Sequence, residues 1–202
     1  MPGRVEDGGR RRRTLIACEV FRSALHKLDI DRPKHSARIT YLPPHLHLHP
    51  ERLRQQLLQR LEAGGPAGSY AGCLYGQCFP NIDNVLRPWR IERIACGHCY
   101  EILLGRKIYA DLMREHPGSF FLEKAFIEDF DNLCRAPLEL DDPQMREWYF
   151  EHYRQVVYIR QPMDPDLMKA VQAIAALLNL DVKVRDADYT DLISYLDKQD
   201  IL

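Results

Sequence analysis

The sequence contains no apolar run approaching the ~18 residues that a membrane-spanning helix needs. It carries no excess of either charge: 28 Lys and Arg stand against 29 Asp and Glu, for a formal net charge of −1. That balance argues against nucleic acid as a partner and against an acidic, disordered chain. No internal repeat and no low-complexity tract is present. An export signal is also missing, because Arg10 to Arg13 are followed by Glu19, Arg22, His26 and Lys27 where an apolar stretch would have to stand. The expectation is a cytoplasmic protein with no membrane attachment. With 202 residues, 46% of them hydrophobic, the chain can bury one substantial core. Residues 1–13 read as a flexible basic tail and residues 14–202 as a single domain.

What is present is an alternation of short apolar runs with helical periodicities. Residues 14–18, 37–42, 69–76 and 89–95 read as strands, with a last strand at 181–186. Leu53, Leu57, Leu58 and Leu61 recur at helical spacing over 51–63, and Gly64-Gly65-Pro66 ends that helix. Further helices are expected over 19–28, 100–116, 122–133, 142–159, 165–180 and 189–196. The alternation predicts an α/β fold: a mainly parallel sheet with helices on both faces and a helical C-terminal third. Ligands of such sheets bind outside the carboxyl ends of the strands.

Six cysteines are present, at positions 18, 73, 78, 96, 99 and 134. In a reducing compartment, clustered cysteines are more often metal ligands or catalytic thiols than disulfides. Cys18 closes the first expected strand, Cys78 follows the third, and Cys96 and Cys99 follow the fourth. A parallel sheet therefore gathers them at one edge, although sixty residues separate Cys18 from Cys78. Cys96-Gly97-His98-Cys99 also has the form of a dithiol redox centre at the start of a helix, where free N–H groups lower a thiol pKa. Against that reading, the chain continues into helices instead of a closing hairpin. Arg93-Ile94-Ala95 also lacks the aromatic residue that precedes a thioredoxin centre.

Five stretches carry a resemblance. They are Leu15 to Cys18; Leu42-Pro43 with Leu46-His47 and Pro50; Tyr75-Gly76-Gln77-Cys78; Arg93 with Cys99 and Leu103-Leu104-Gly105; and residues 117–122 with Ile127-Glu128. In order and spacing they resemble the family catalogued as domain of unknown function sixteen thirty-eight, over about residues 14–130. The resemblance implies a site on Cys18, Cys78 and Cys99, with Cys73, Cys96 and Cys134 outside it. The sequence departs from the family pattern at His98, where Asp is usual, and at Phe79-Pro80-Asn81, where a glycine-rich run is usual. Members are often encoded beside corrinoid-dependent methyltransferases, so a corrinoid protein or a methyltransferase is the expected partner.

Three thiolates at one point need a cation between them, and a metal supplies it. Zinc with three protein ligands keeps one open position. A four-iron, four-sulfur cluster on three cysteines leaves one iron open to a substrate. The spare sulfurs nearby favour iron–sulfur slightly. His47 and His98 are candidates for an additional ligand or proton donor. His45 and His49, which alternate with His47, read as surface residues. Arg93 and Arg90 offer a positive charge for an anionic ligand, and Tyr75 is a candidate to line the pocket. Cys96 is the candidate redox partner of Cys99. Three functions are therefore open: a metal-centre protein with an enzymatic or accessory role, a thiol–disulfide oxidoreductase on Cys96 and Cys99, and an interaction module docking through an aromatic helix at 145–158.

Overall fold

The computed structural model describes residues 12–32 and 37–202. The basic tail expected over 1–13 lies mostly outside those residues, and Arg13 already belongs to the first strand. Among the described residues six strands form two separate parallel sheets. The α/β class with parallel strands is thus what forms, divided into two sheets of three strands each.

The first sheet contains β1 (Arg13–Cys18), β2 (Ala37–Leu42) and β3 (Tyr70–Leu74), in the order β2-β1-β3. The connection from β1 runs through a 3-10 turn (Glu19–Phe21) and α1 (Arg22–Lys27). The one from β2 runs through a 3-10 stretch (Pro44–Leu48) and α2 (Pro50–Ala63). Leu15, Ile16 and Ala17 of β1 are fully buried, as a central strand covered on both faces requires. Leu53, Leu57 and Leu61 give α2 its buried stripe, each contributing about 1.5–3 kcal/mol by leaving water.

After β3 the chain makes α3 (Ile82–Leu86), α4 (Cys99–Leu104) and α5 (Arg106–Glu115). The expected strand at 89–95 does not form. Arg90 adopts a left-handed φ of 56°, and a single parallel bridge joins Arg93 to Cys73 at the edge of β3. The expected helix over 100–116 is two helices. Gly105, at φ +79°, separates them, and the Leu103 carbonyl accepts from the Asp188 N–H at 2.8 Å.

The second sheet contains β4 (Ser119–Leu122), β5 (Gln155–Arg160) and β6 (Asp181–Asp186), in the order β4-β5-β6. Its connections hold α6 (Lys124–Glu128), α7 (Pro143–Phe150) and α8 (Met168–Leu178), and α9 (Thr190–Lys198) follows β6. A single helix over 142–159 is therefore corrected: α7 ends at Phe150 and residues 155–160 are a strand. The reason is the run Val156-Val157-Tyr158-Ile159, β-branched and aromatic and buried on both faces. The C-terminal third is thus less helical than expected. An aromatic docking helix over 145–158 is not formed, although Trp148 on α7 is 66% exposed.

Alternate residues of the second sheet serve two cores, the period-2 consequence of a strand. Phe121, Val157 and Ile159 join the core of the first sheet, while Leu122, Val156 and Tyr158 face a second core under α6 and α8. Hydrogen bonds tie the sheets together. Tyr195 of α9 accepts from the Cys73 N–H at 2.9 Å and donates to the Glu92 carbonyl at 2.7 Å. At the carboxyl ends of β1 and β5, Tyr189 donates to Gln161 (3.1 Å) and Gln161 donates to the Val20 carbonyl (3.2 Å). Among the described residues no helix is long and apolar enough to cross a membrane.

Candidate functional site

The carboxyl ends of the two sheets face each other across a pocket of about 320 Å³. Cys18, His47, Cys78, His98 and Cys99 line it from the side of the first sheet, and Glu123 lines it from the second. Each follows a strand or opens a helix. Cys18 ends β1, His47 lies in the 3-10 stretch after β2, and Cys78 follows β3. Cys99 is the first residue of α4, and Glu123 directly follows β4. Val20, Phe126 and Leu133 add apolar wall.

The Cys99 thiol makes side-chain contact with both Cys18 and Cys78. The segment Tyr75-Gly76-Gln77-Cys78 explains how this happens. The Gln77 N–H donates to the Gly97 carbonyl at 2.8 Å, which holds the chain after β3 against the start of α4. A Cβ at Gly76 would stand 2.7 Å from that carbonyl oxygen and 2.9 Å from the His98 Cα. Only glycine permits so close an approach.

Those contacts raise the thiol pKa values. Cys99 is pushed well up, first by its hydrogen bond with Cys18; the bond with Cys78 acts the other way and burial adds to the rise. Cys78 is pushed up by its hydrogen bond with Cys99 and then by burial. The Gly76 amide opposes the rise at both sulfurs. As they stand, the Cys78 and Cys99 thiols are neutral. Among the described residues, no group of three His, Cys, Asp or Glu side chains is arranged to hold a metal ion as placed. Three thiols are the kind of donor set that a soft cation takes.

His47 and His98 are both exposed at the pocket. His47 Nδ1 lies 2.9 Å from the Pro44 carbonyl oxygen, which can only accept. Nδ1 therefore carries the proton, and Nε2 keeps the lone pair a ligand or proton acceptor needs.

Cys96 lies elsewhere. Its thiol contacts the Tyr75 carbonyl oxygen (3.7 Å) and an Arg93 nitrogen (3.9 Å), and it lines a different depression, with Arg106 and Lys198. Burial pushes the Cys96 thiol up to about 12, although Arg93 acts against the rise. The two cysteines of Cys96-Gly97-His98-Cys99 thus point to different places.

Arg93 is committed to structure. Its guanidinium pairs with Asp83 (Nε–Oδ1 2.9 Å) and donates to the carbonyls of Tyr75, Ile94 and Cys96. It lies outside the pocket lining, as does Arg90. Tyr75, expected to line the pocket, is 2% exposed and lies outside the lining.

Glu123 escaped the sequence reading, which placed it inside a helix from 122 to 133. Its carboxylate is 3% exposed and accepts from the N–H groups of Ala125 (2.8 Å) and Phe126 (2.9 Å), capping α6. Burial raises its pKa to about 7 against those two bonds. The available signal was a charged residue directly after the apolar run Phe120-Phe121-Leu122, at the edge where a parallel sheet binds ligands.

Residues 41–196 match the family described as Protein of unknown function (DUF1638). The chain belongs to that family. The match runs beyond the five resembling stretches and takes in the second sheet and most of α9. It begins after Cys18, so the family span holds Cys78 and Cys99, and the fold brings Cys18 to them. No curated protein and no solved structure matches the chain.

Proposed function

We propose that this protein holds a soft metal centre on Cys18, Cys78 and Cys99, with an open coordination position facing the pocket. The observation that carries the reading is the convergence of Cys18, Cys78 and Cys99, from three separate segments, on one pocket. Three thiolates gathered there repel one another unless a cation lies between them. Zinc takes four ligands with thiolate bonds of about 2.3 Å, so three thiolates on one ion would leave one position open. A four-iron cluster is the second form of the same reading, and it would spread the sulfurs over separate irons. His47 or His98 supplies a neutral nitrogen at the rim as a further ligand or proton carrier.

Such a centre supplies a Lewis acid at its open position, which activates a bound thiol or water. The role is enzymatic or accessory. The link to corrinoid-dependent methyl transfer enters here, with a corrinoid protein or methyltransferase as partner. Six unpaired thiols suit a reducing, cytoplasmic compartment. A thiol–disulfide exchanger would need a low-pKa Cys96 facing Cys99, and neither feature is present.

The test is metal and sulfide analysis, with absorption spectra, on protein purified without oxygen, for the wild type and Cys99→Ser. About one zinc per chain, or iron with sulfide, is expected in the wild type, with loss in the variant. A metal-free wild type ends the reading, as does a Cys99→Ser protein that keeps its full metal content.

A further inference from the structure

Each sheet has two edge strands, β2 and β3 in the first and β4 and β6 in the second. The outer N–H and C=O groups of an edge strand are a template on which a further strand can pair. Among these four, only β6 carries both signs of charge, with Asp181, Lys183 and Arg185 alternating with Val182 and Val184. β2 offers Arg38 alone, and β3 and β4 carry no charge. β6 pairs with β5 on one side, and among the described residues no backbone hydrogen bond meets its other side. Asp181 and Lys183 are exposed and have no side-chain partner among the described residues. On the opposite face Leu180, Val182 and Val184 are only half-buried against the second core.

We infer that β6 pairs antiparallel with β6 of a second copy of this chain, across a two-fold axis at Val182. In that register Asp181 stands opposite the partner's Lys183 and Lys183 opposite the partner's Asp181. Val182 meets its own copy, and Leu180 meets the partner's Val184. The period of 2 puts both charge pairs on one face and the apolar pairs on the other, so each face gains contacts of its own kind.

Charge selects this register among the alternatives. An axis at Asp181 or at Lys183 sets two like charges face to face, and an axis at Val184 opposes Lys183 to Arg185. A slip of one residue turns the valines of one strand towards the charged face of the other. A surface that complements itself under a two-fold rotation is what a symmetric dimer requires, which makes a second copy the occupant. The pairing joins the two second sheets into one continuous sheet. None of the residues lining the thiol pocket lies on β6, so the dimer leaves that pocket open and does not depend on the metal reading.

The test measures mass against concentration by analytical ultracentrifugation for wild type, Asp181→Lys, Lys183→Asp and the double variant. A concentration-dependent dimer is expected for the wild type. Each single variant should dissociate about 10-fold more readily, because two symmetric attractive pairs become repulsive. The double variant, in which the charges are exchanged, should regain wild-type affinity. Hydrogen exchange of the wild type at low and high concentration is the second readout, and protection over residues 180–184 should rise with concentration. A monomeric wild type, single variants that dimerise as the wild type does, or an unrestored double variant overturns the proposal. So does protection of β6 that is independent of concentration. A Lys183→Asp protein that dimerises more tightly than wild type overturns the register, since that is the outcome for an axis at Lys183.

Discussion

The two sheets have the same number of strands and the same parallel sense, and they differ in winding. In the first, the order β2-β1-β3 means that the chain leaves the central strand to one side and later crosses to the other. The connections after β1 and β3 therefore diverge, which opens a crevice at the carboxyl ends. Cys18 and Cys78 sit on its two sides. In the second, the order β4-β5-β6 advances in one direction and makes no reversal. That sheet contributes apolar residues to two cores and one carboxylate, Glu123, to the pocket. The winding thus separates two contributions: the sheet with a switch point carries Cys18 and Cys78, and the other closes the space opposite them.

The comparison can be broken first at Gly76. Gly76→Ala forces a methyl group onto the Gly97 backbone, which has no flexible side chain to yield. Metal uptake should be lost, with a stability cost of about 3 kcal/mol by denaturant titration. Normal metal content in this variant would mean that the close approach does not assemble the thiols.

Glu123 tests the opposite wall. An unfolded glutamate titrates near ~4.3, whereas in the fold burial, with Asp164 and Glu128 nearby, raises the value to about 7. The folded state therefore holds this proton more tightly. Its burden on stability is absent below ~pH 4.3, grows as pH rises towards 7 and is constant above. Metal-free wild type should lose about 3–4 kcal/mol relative to Glu123→Gln across that range. Denaturation curves of the two proteins that stay parallel from pH 4 to 8 would contradict the buried, proton-holding carboxyl.

A smaller effect is expected within the second sheet. Val157 is fully buried on the central strand β5. Val157→Ala should cost about 2 kcal/mol and leave metal stoichiometry unchanged. Loss of metal along with stability would show that the two sheets are not separate in function. The smallest effect belongs to the Arg160–Asp186 pair across β5 and β6, whose side chains are 53% and 71% exposed. A double-mutant cycle there should return less than about 1 kcal/mol.

Much of this arrangement was legible in particular residues. The strand expected at 37–42 forms with those bounds, and α2 starts one residue before the expected 51–63 and ends at the Gly64-Gly65-Pro66 stop. The position of Cys18 at a strand end follows from where the apolar run Leu15-Ile16-Ala17 stops. Residues 155–160 were misread because α7 precedes them, so that an aromatic helical pattern ran on into a short apolar run. Periodicity alone does not separate a buried strand from a buried helix. Arg93 was legible as a charged residue near the site, but its obligation to Asp83 and three carbonyls was not.

The sequence by itself determined the local pieces: the apolar runs, their breakers and the placing of Cys18 at the end of one strand and Cys78 after another. These depend on neighbours along the chain, through backbone preference and side-chain period. Only the tertiary structure decided that the strands divide into two sheets, that Cys99 meets the other thiols while Cys96 turns away, and that Glu123 faces them. Each of those outcomes depends on which strands pair and which backbones pack closely, contacts between residues far apart in the chain that no local pattern encodes.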